Sequence, residues 1–366
     1  MPADVVIVGA GPAGIATAIA ASQKGLRVTL VDPQKPPIDK ACGEGLLPEA
    51  VSALRSIGVP LNSSSGFPFT GIRFSDEVSS ASARINRGQA LGMRRTTLHR
   101  LLADRAAETG VRCLWGARVS SLDFGGIRVE GELIRYKWLV GADGQNSIIR
   151  QWARLGPRRH KRSRFGFCRH YRIAPWSGMV EVYWGKQCQL FVTPTGPKEV
   201  CLALLSSDPH LRMDGALPQF PDVASRLQDV PKSAEFGAIT ALGKSRSVVR
   251  GNVALVGDAS LTIDGIAGQG LSLAFQEAVH LGGALARGDL ASYESAHRRI
   301  TRMATRMTRF LLLMDQSTWI RRKALRLFAS QPMLFSRMIS IHTGERSPES
   351  LGAWEIFDLG RRVLWA

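Results

Sequence analysis

Long hydrophobic runs are missing from this chain of 366 residues. No apolar stretch approaches the roughly 18 residues that a membrane span needs, and strand and glycine loop stand where a secretory leader would lie. The expected setting is therefore cytoplasmic, with no spanning helix. Cysteine is scarce as well. Cys42, Cys113, Cys168, Cys188 and Cys201 make an odd total with no C-x-x-C pair, which argues against a disulfide framework and a zinc site, and no metal is expected. Acidic residues are few: 30 face 48 Lys and Arg, for a net charge of +18. Such a field suits nucleic acid, an anionic membrane surface or solubility alone. No zinc-finger, RNA-recognition or basic-zipper signature accompanies it, so nucleic acid is not expected as a partner.

What the chain does hold begins at its first strand. Val5 to Val8 are four consecutive apolar, β-branched residues, a pattern that predicts a buried parallel strand. Gly9, Gly11 and Gly14 follow at G-x-G-x-x-G spacing, with Ala13 before the last. The Ala-rich run Ile15 to Lys24 then predicts a helix ended by Gly25. Each glycine has a steric role: Gly9 makes the turn, Gly11 lets backbone N–H groups approach a pyrophosphate, and Gly14 packs helix on strand. The phosphates would sit at the helix N-terminus, where unpaired donors and the dipole favour an anion. A second strand, Leu26 to Val31, ends in Asp32, about where a ribose-binding carboxylate belongs.

Further along, Gly43 and Gly45 precede an amphipathic helix, Pro48 to Ile57. They suggest either backbone held close to something flat or charged, or a plain turn. Ile72 to Phe74 reads as a strand of a second sheet, Arg94 to Ala107 as a helix, and Val119 to Val140 as a meander. The meander runs into Gly141-Ala142-Asp143-Gly144, with Ser147 and Arg150 behind it: a phosphate or ribose contact, or a turn with an N-cap. Arg158, Arg159, His160, Lys161 and Arg162 form a basic loop, solvated or anion-capturing. Segments 165–173, 179–184, 189–193 and 200–205 have the spacing of an antiparallel sheet, a wall on which Tyr183, Trp184 and Phe191 could meet a substrate. A third glycine–acid element, Gly257-Asp258-Ala259, ends an apolar strand, and Gly265 to Gly270 opens a long helix from Leu271 to Ala286. Two glycine-opened helix starts so far apart point to one large anion. Last, Ile300, Met303, Ala304, Met307, Phe310, Leu311 and Met314 recur at helical spacing among arginines. This predicts an amphipathic helix packed on the cofactor lobe or, with Arg321, Arg322 and Lys323, one touching anionic lipid. Trp354 and Trp365 lie in a tail of unassigned role.

The order of the three glycine elements resembles the para-hydroxybenzoate hydroxylase superfamily, which includes FAD-dependent aromatic monooxygenases, geranylgeranyl reductases and flavin halogenases. The resemblance implies an α/β fold: a Rossmann-like (GR2-type) FAD-binding domain over 1–65, 93–164 and 236–295, an inserted antiparallel-sheet substrate domain over 66–92 and 165–235, and a C-terminal helical region over 296–366. It implies that Gly9, Gly11, Ala13 and Gly14 hold the FAD pyrophosphate, Asp32 the adenosine ribose, and Gly257 and Asp258 the ribityl and pyrophosphate region. Arg95 matches the family's R-x-x-L helix, Asp143 its motif linked to FAD and the nicotinamide donor, and Gly268, Gln269, Gly270 and Leu271 the helix start aimed at the isoalloxazine. Cys42-Gly43-Glu44-Gly45 looks more like the reductases' Cys-Gly-Gly-Gly loop, and Asp264 matches a reductase position, which makes Cys42 and Asp264 catalytic candidates and places Cys42 and Gly45 beside the flavin. Gly268-Gln269-Gly270 is hydroxylase-like. The expected activity is an NADPH- or NADH-dependent FAD monooxygenase of a hydrophobic aromatic or polyketide-like molecule. The alternatives are a reductase of an isoprenoid or other alkene, and a flavin-binding scaffold docked on an anionic membrane surface through its basic C-terminal helices.

Overall fold

The computed structural model describes residues 3–62, 65–123, 125–156, 163–241 and 243–346. The basic loop Arg158 to Arg162, Trp354 and Trp365 lie outside the described residues. The expected first strand is Ala3–Val8, buried along almost its whole length. It lies at the centre of the first sheet, parallel to Val28–Asp32 on one side and to the end of Glu132–Gly141 on the other. Arg112–Trp115 and Val253–Leu255 extend the sheet in parallel. The glycine loop after Ala3–Val8 and Asp32 at the end of its neighbour therefore lie together at the carboxyl edge, where open α/β sheets bind ligands.

Ten helices are described: α1 Pro12–Ser22, α2 Pro48–Ser56, α3 Arg95–Glu108, α4 Ile148–Trp152, α5 Met213–Ala216, α6 Pro221–Arg226, α7 Gly270–Arg287, α8 Leu290–Gln316, α9 Thr318–Ser330 and α10 Pro332–His342. Helices α1 and α7, the two glycine-opened helices, cross closely. A Cβ on Gly282 would stand 2.7 Å from that of Ala20, so glycine is what permits the approach.

The second sheet has the order Phe236–Ala241, Ser163–Tyr171, Glu199–Ser206, Cys188–Gly196, Val180–Trp184, Gly71–Ser75, Ser80–Arg84. It is antiparallel as expected except where Val180–Trp184 runs parallel to Gly71–Ser75. That strand arrives from far earlier in the chain, so no hairpin fixes its direction. Phe236–Ala241, which the sequence puts with the cofactor domain, pairs along Ser163–Cys168 as an edge strand here. The alternation of strand side chains gives the sheet two different faces. Leu190, Val192, Leu202 and Leu204 pack on α5 and α6 with Met213 and Phe220, and the opposite face meets the cofactor lobe and the C-terminal helices.

Helix α8 joins the two cores. Leu290 and Tyr293 belong to the first, and the Tyr293 hydroxyl donates to Leu255 O at 2.7 Å. Ala304, Met307, Leu311 and Met314 belong to a second core with Trp184, Phe328 and Phe335. Of the expected amphipathic stripe, Ala304, Met307, Leu311 and Met314 are buried and Ile300 and Phe310 half-buried, all in this second core rather than in the first one.

Candidate functional site

The three opening glycines serve three distinct constraints. Gly9 has φ +103°, and a Cβ there would meet Ala142 O at 2.4 Å; at Gly14 it would meet Gly9 O at 1.8 Å. At Gly11 it would meet nothing within 4 Å, which leaves that side of the loop open. Gly11 caps α1 without a side-chain hydrogen bond, so the first-turn N–H groups face outward for an anion. Asp32 accepts from Ala10 N at 2.6 Å and Gln34 N at 2.8 Å, which fixes the carboxylate against the loop and leaves each oxygen a lone pair. Neutral, buried His99 also holds the loop: its Nε2 lies 2.9 Å from Ala10 O, and burial depresses its basicity. Sequence reasoning passed over His99, which carries no motif of its own.

The distant glycine–acid elements converge on this loop. A Cβ on Gly257, where φ is +62°, would come within 2.6 Å of Ala13 Cβ. Asp143 accepts from Ile148 N at 2.7 Å and Ile149 N at 3.2 Å, so it holds the start of α4, while Ser147 caps that helix at Arg150 N. Burial raises the Asp143 pKa, and its Oδ1 is buried without a partner. Arg150 then bridges motifs, donating to Ala259 O at 3.0 Å and Gln145 O at 2.9 Å. Asp258 is half-buried, with Lys40 Nζ 3.8 Å away. Behind it lies a buried group that the sequence did not reveal. Glu277 of α7 accepts from Gly257 N at 2.7 Å and from the Ser260 hydroxyl, and stands 3.3 Å from His297 of α8.

Gly268 has φ +62°, and neither it nor Gly270 would bring a Cβ within 4 Å of anything, so both border open space. Gln269 is buried and turned away: its Nε2 donates to His342 O of α10, and its Oε1 has no partner. Leu271 follows in the first turn of α7, packed at the edge of the first core. Asp264 caps its turn by accepting from Ile266 N at 3.0 Å, and its other oxygen lies 3.9 Å from Arg164 Nε. Burial raises the Asp264 pKa and Arg164 opposes this.

The Cys42–Gly45 loop is where the two sheets meet. Cys42 is half-buried, and desolvation pushes its thiol pKa up, with Arg95 close enough to work against that shift. Glu44 adopts φ +56°, a conformation suited to glycine. Its carboxylate accepts from Arg95 N at 2.7 Å, and Oε2 lies 2.7 Å from His170 Nε2. Both side chains are almost wholly buried. Thr193 donates to Gly43 O at 2.8 Å and Cys201 Sγ approaches Cys42 O at 3.7 Å. Gly45 pairs with Gly92, where a Cβ would collide with Pro194 O.

Glu44, His170 and Cys201 offer potential metal-ligand atoms within 4.8 Å of one another. Bonds of about 2.0 Å in a tetrahedral site would put such oxygen and nitrogen atoms about 3.3 Å apart. The observed 2.7 Å is a hydrogen bond, and burial holds the Cys201 thiol protonated.

Register explains what these loops border. His170, Cys201 and Thr193 form one row across three strands, Cys168, Ala203 and Phe191 the next, and Gly166, Leu205 and Gln189 a third. The first row carries the contacts to Glu44 and Gly43, and Gly265 faces Leu205 in the third. Ala203, Phe191 and Gly166 keep some exposure although they sit in the middle of a sheet. The wall expected from the sequence therefore includes Phe191. Trp184 shares its face but is buried against Phe74, at a centroid distance of 4.9 Å. Tyr183 points to the opposite face, donating to Glu181 Oε2 at 2.8 Å beside Phe220, because successive strand residues alternate.

Comparison with known proteins agrees with this arrangement. Over 177 residues the chain is 32% identical to a menaquinone reductase of Mycobacterium tuberculosis, covering 45% of this chain and 42% of that protein. It thus spans less than half the length of that relative. It is 29% identical over 343 residues to the 3-hydroxy-4-methyl-anthranilyl-[aryl-carrier protein] 5-monooxygenase of Streptosporangium sibiricum, covering 87% and 89% of the two chains. In structure it matches a flavoprotein/dehydrogenase of Cytophaga hutchinsonii with a TM-score of 0.82 at 18% identity, over 93% of each chain, which shows a shared fold. The family model described as FAD binding domain matches residues 2–201. With that match over more than half its length, the chain belongs to the FAD binding domain family, within the para-hydroxybenzoate hydroxylase-like flavoprotein superfamily.

Proposed function

We propose that this protein is an NAD(P)H-dependent FAD monooxygenase that hydroxylates a hydrophobic aromatic or polyketide-like molecule. The observation that carries this reading is the partly open row Cys168, Ala203 and Phe191. It lies between the Cys42–Gly45 loop and the Asp264–Gly268 turn, with the buried Glu44–His170 pair at one end. The residues present fit FAD: Gly11, Gly268 and Gly270 border open space, α1 and α7 lack side-chain caps, and Asp143 Oδ1 is a buried acceptor without a partner. FAD held there by the Gly11 and Gly268–Gly270 helix starts would supply the redox chemistry, hydride acceptance from a nicotinamide donor and activation of dioxygen. This chain's own residues position the rest. The apolar middle row excludes water and orients an aromatic ring. His170 Nδ1, buried without a partner, is the atom we assign to take the proton of a phenol, with Glu44 orienting the imidazole through Nε2. The Streptosporangium relative, named as a monooxygenase of an aromatic acyl group, aligns over most of both chains and supports the same choice.

Mass spectrometry of product formed under labelled dioxygen, over a panel of long-chain phenols, tests the proposal. Label in the product is expected. Substrate-dependent NADPH oxidation that continues without oxygen and yields a saturated product would show a reductase instead. Ala203→Trp, which fills the middle row, is expected to abolish substrate-stimulated NADPH oxidation while the FAD absorbance stays.

A further inference from the structure

Three apolar side chains that are more than half exposed lie on adjoining elements at one corner of the molecule. Leu313 (52%) lies near the end of α8, Trp319 (51%) at the start of α9 just past the Ser317 turn, and Val78 (60%) at the tip between Gly71–Ser75 and Ser80–Arg84. The tip is fastened to α9. Arg321 Nε lies 3.9 Å from Asp76 Oδ2, and an Arg322 guanidinium nitrogen 3.5 Å from Glu77 Oε2. Arg321 and Arg322, which the sequence suggested for lipid, are thus engaged within the protein, and what they do is fasten the tip that carries Val78 to the helix that carries Trp319.

The cations that remain are arranged around this corner. Lys323 Nζ stands 4.4 Å over the Trp319 ring. Along α8, Arg299, Arg302, Arg306 and Arg309 are exposed and lead at helical spacing to Leu313, one stripe about 21 Å long at 1.5 Å per residue. Among the described residues none of these four has an acidic partner, whereas Arg298 pairs with Glu294 at 3.2 Å. Single exposed apolar residues are ordinary. Three on adjoining elements, ending an unpaired arginine stripe and including a tryptophan beside a lysine, match the pattern of interfacial helices: apolar groups below the headgroups and cations among them.

We infer that the α8–α9 corner, with the 76–79 tip, rests on an anionic lipid bilayer, inserting Val78, Leu313 and Trp319 and laying the Arg299–Arg309 stripe on the headgroups. No described helix is long and apolar enough to cross a membrane, so the contact is peripheral. An acidic protein would satisfy the arginines but gives no reason for the apolar tip.

The test uses the FAD-loaded full chain with vesicles of phosphatidylcholine, with or without phosphatidylglycerol. Sedimentation with the phosphatidylglycerol vesicles alone is expected. Lipids brominated in the acyl chain should quench part of the tryptophan emission, and Trp319→Phe should remove that part. Arg302→Glu, Arg306→Glu and Arg309→Glu should each weaken partitioning about fivefold or more, the effect of one cation near such a surface. Leu313→Asp with Trp319→Asp should abolish it with flavin absorbance unchanged. Binding that survives this double change but not the arginine changes would show electrostatic adsorption without insertion and overturn the inference, as would no binding by the parent or equal binding to uncharged vesicles.

Discussion

Glu44 is held in a glycine-like conformation by what its side chain does. A left-handed backbone costs a non-glycine residue about 1–2 kcal/mol, and here φ is +56° while the carboxylate spans Arg95 N and His170. Strain kept in place by two buried hydrogen bonds at the seam of two sheets points to function. If carboxylate and imidazole act as one unit, Glu44→Gln and His170→Asn should each lower kcat/KM by about 10²-fold or more. The double variant should be no worse than either single one. The FAD spectrum should persist in all three. Losses that add would refute the pairing. His342 makes a different residue-scale prediction. Full burial depresses its pKa to about 4 from an ordinary 6.5. The unfolded chain therefore takes up that proton first as pH falls. Stability is unaffected above pH 6.5 and declines down to about pH 4, by about 3 kcal/mol in all at 1.36 kcal/mol per unit. Urea unfolding at pH 7 and pH 5 should show the decline. His342→Phe should flatten it in part, since His99 is depressed in the same direction.

At the scale of elements, the opening strand–loop–helix separates folding from binding. Gly14→Ala would drive a Cβ to 1.8 Å from Gly9 O and is expected to destabilise the apoprotein by about 3 kcal/mol or more. Gly11→Ala meets no protein atom, so apoprotein stability should hold within about 0.5 kcal/mol while FAD affinity falls. Urea titration of apoprotein and FAD fluorescence titration read the two effects separately. This loop was legible in the sequence because its constraints are local: steric demands at fixed spacing. The strands and helices that follow were legible for the same reason. What the sequence could not show is pairing across the chain. His170, Cys201 and Thr193 share a row only through register, and Tyr183 leaves the wall because it is one residue out of phase with Phe191. Glu277 and His297 look like ordinary helix residues until α7 and α8 bring them behind Gly257. Arg321 and Arg322 look solvent-bound until a hairpin from residues 71–84 reaches them.

In the whole molecule the three parts meet at Arg164. Its buried guanidinium leaves the second sheet to reach Asp315 of α8 at 2.7 Å, Asp264 of the cofactor-side turn at 3.9 Å, and Gln189 beside it. Sheet, C-terminal helix and glycine turn are thus fixed by one side chain that is 5% exposed. Removing one partner of such a group is worse than never having had it, since the carboxylates left behind stay buried and unpaired. Arg164→Leu should therefore cost about 3–5 kcal/mol by urea unfolding. Adding Asp315→Leu should recover a substantial part of that loss, because one of the stranded charges goes with it. The double variant separates stability from alignment. Asp264 still lacks its cation, so the Asp264–Gly268 turn should remain displaced, and the FAD absorbance band should stay shifted although the chain is folded. Full return of both stability and spectrum in the double variant would show that Arg164 only pairs with α8 and has no part in placing the turn.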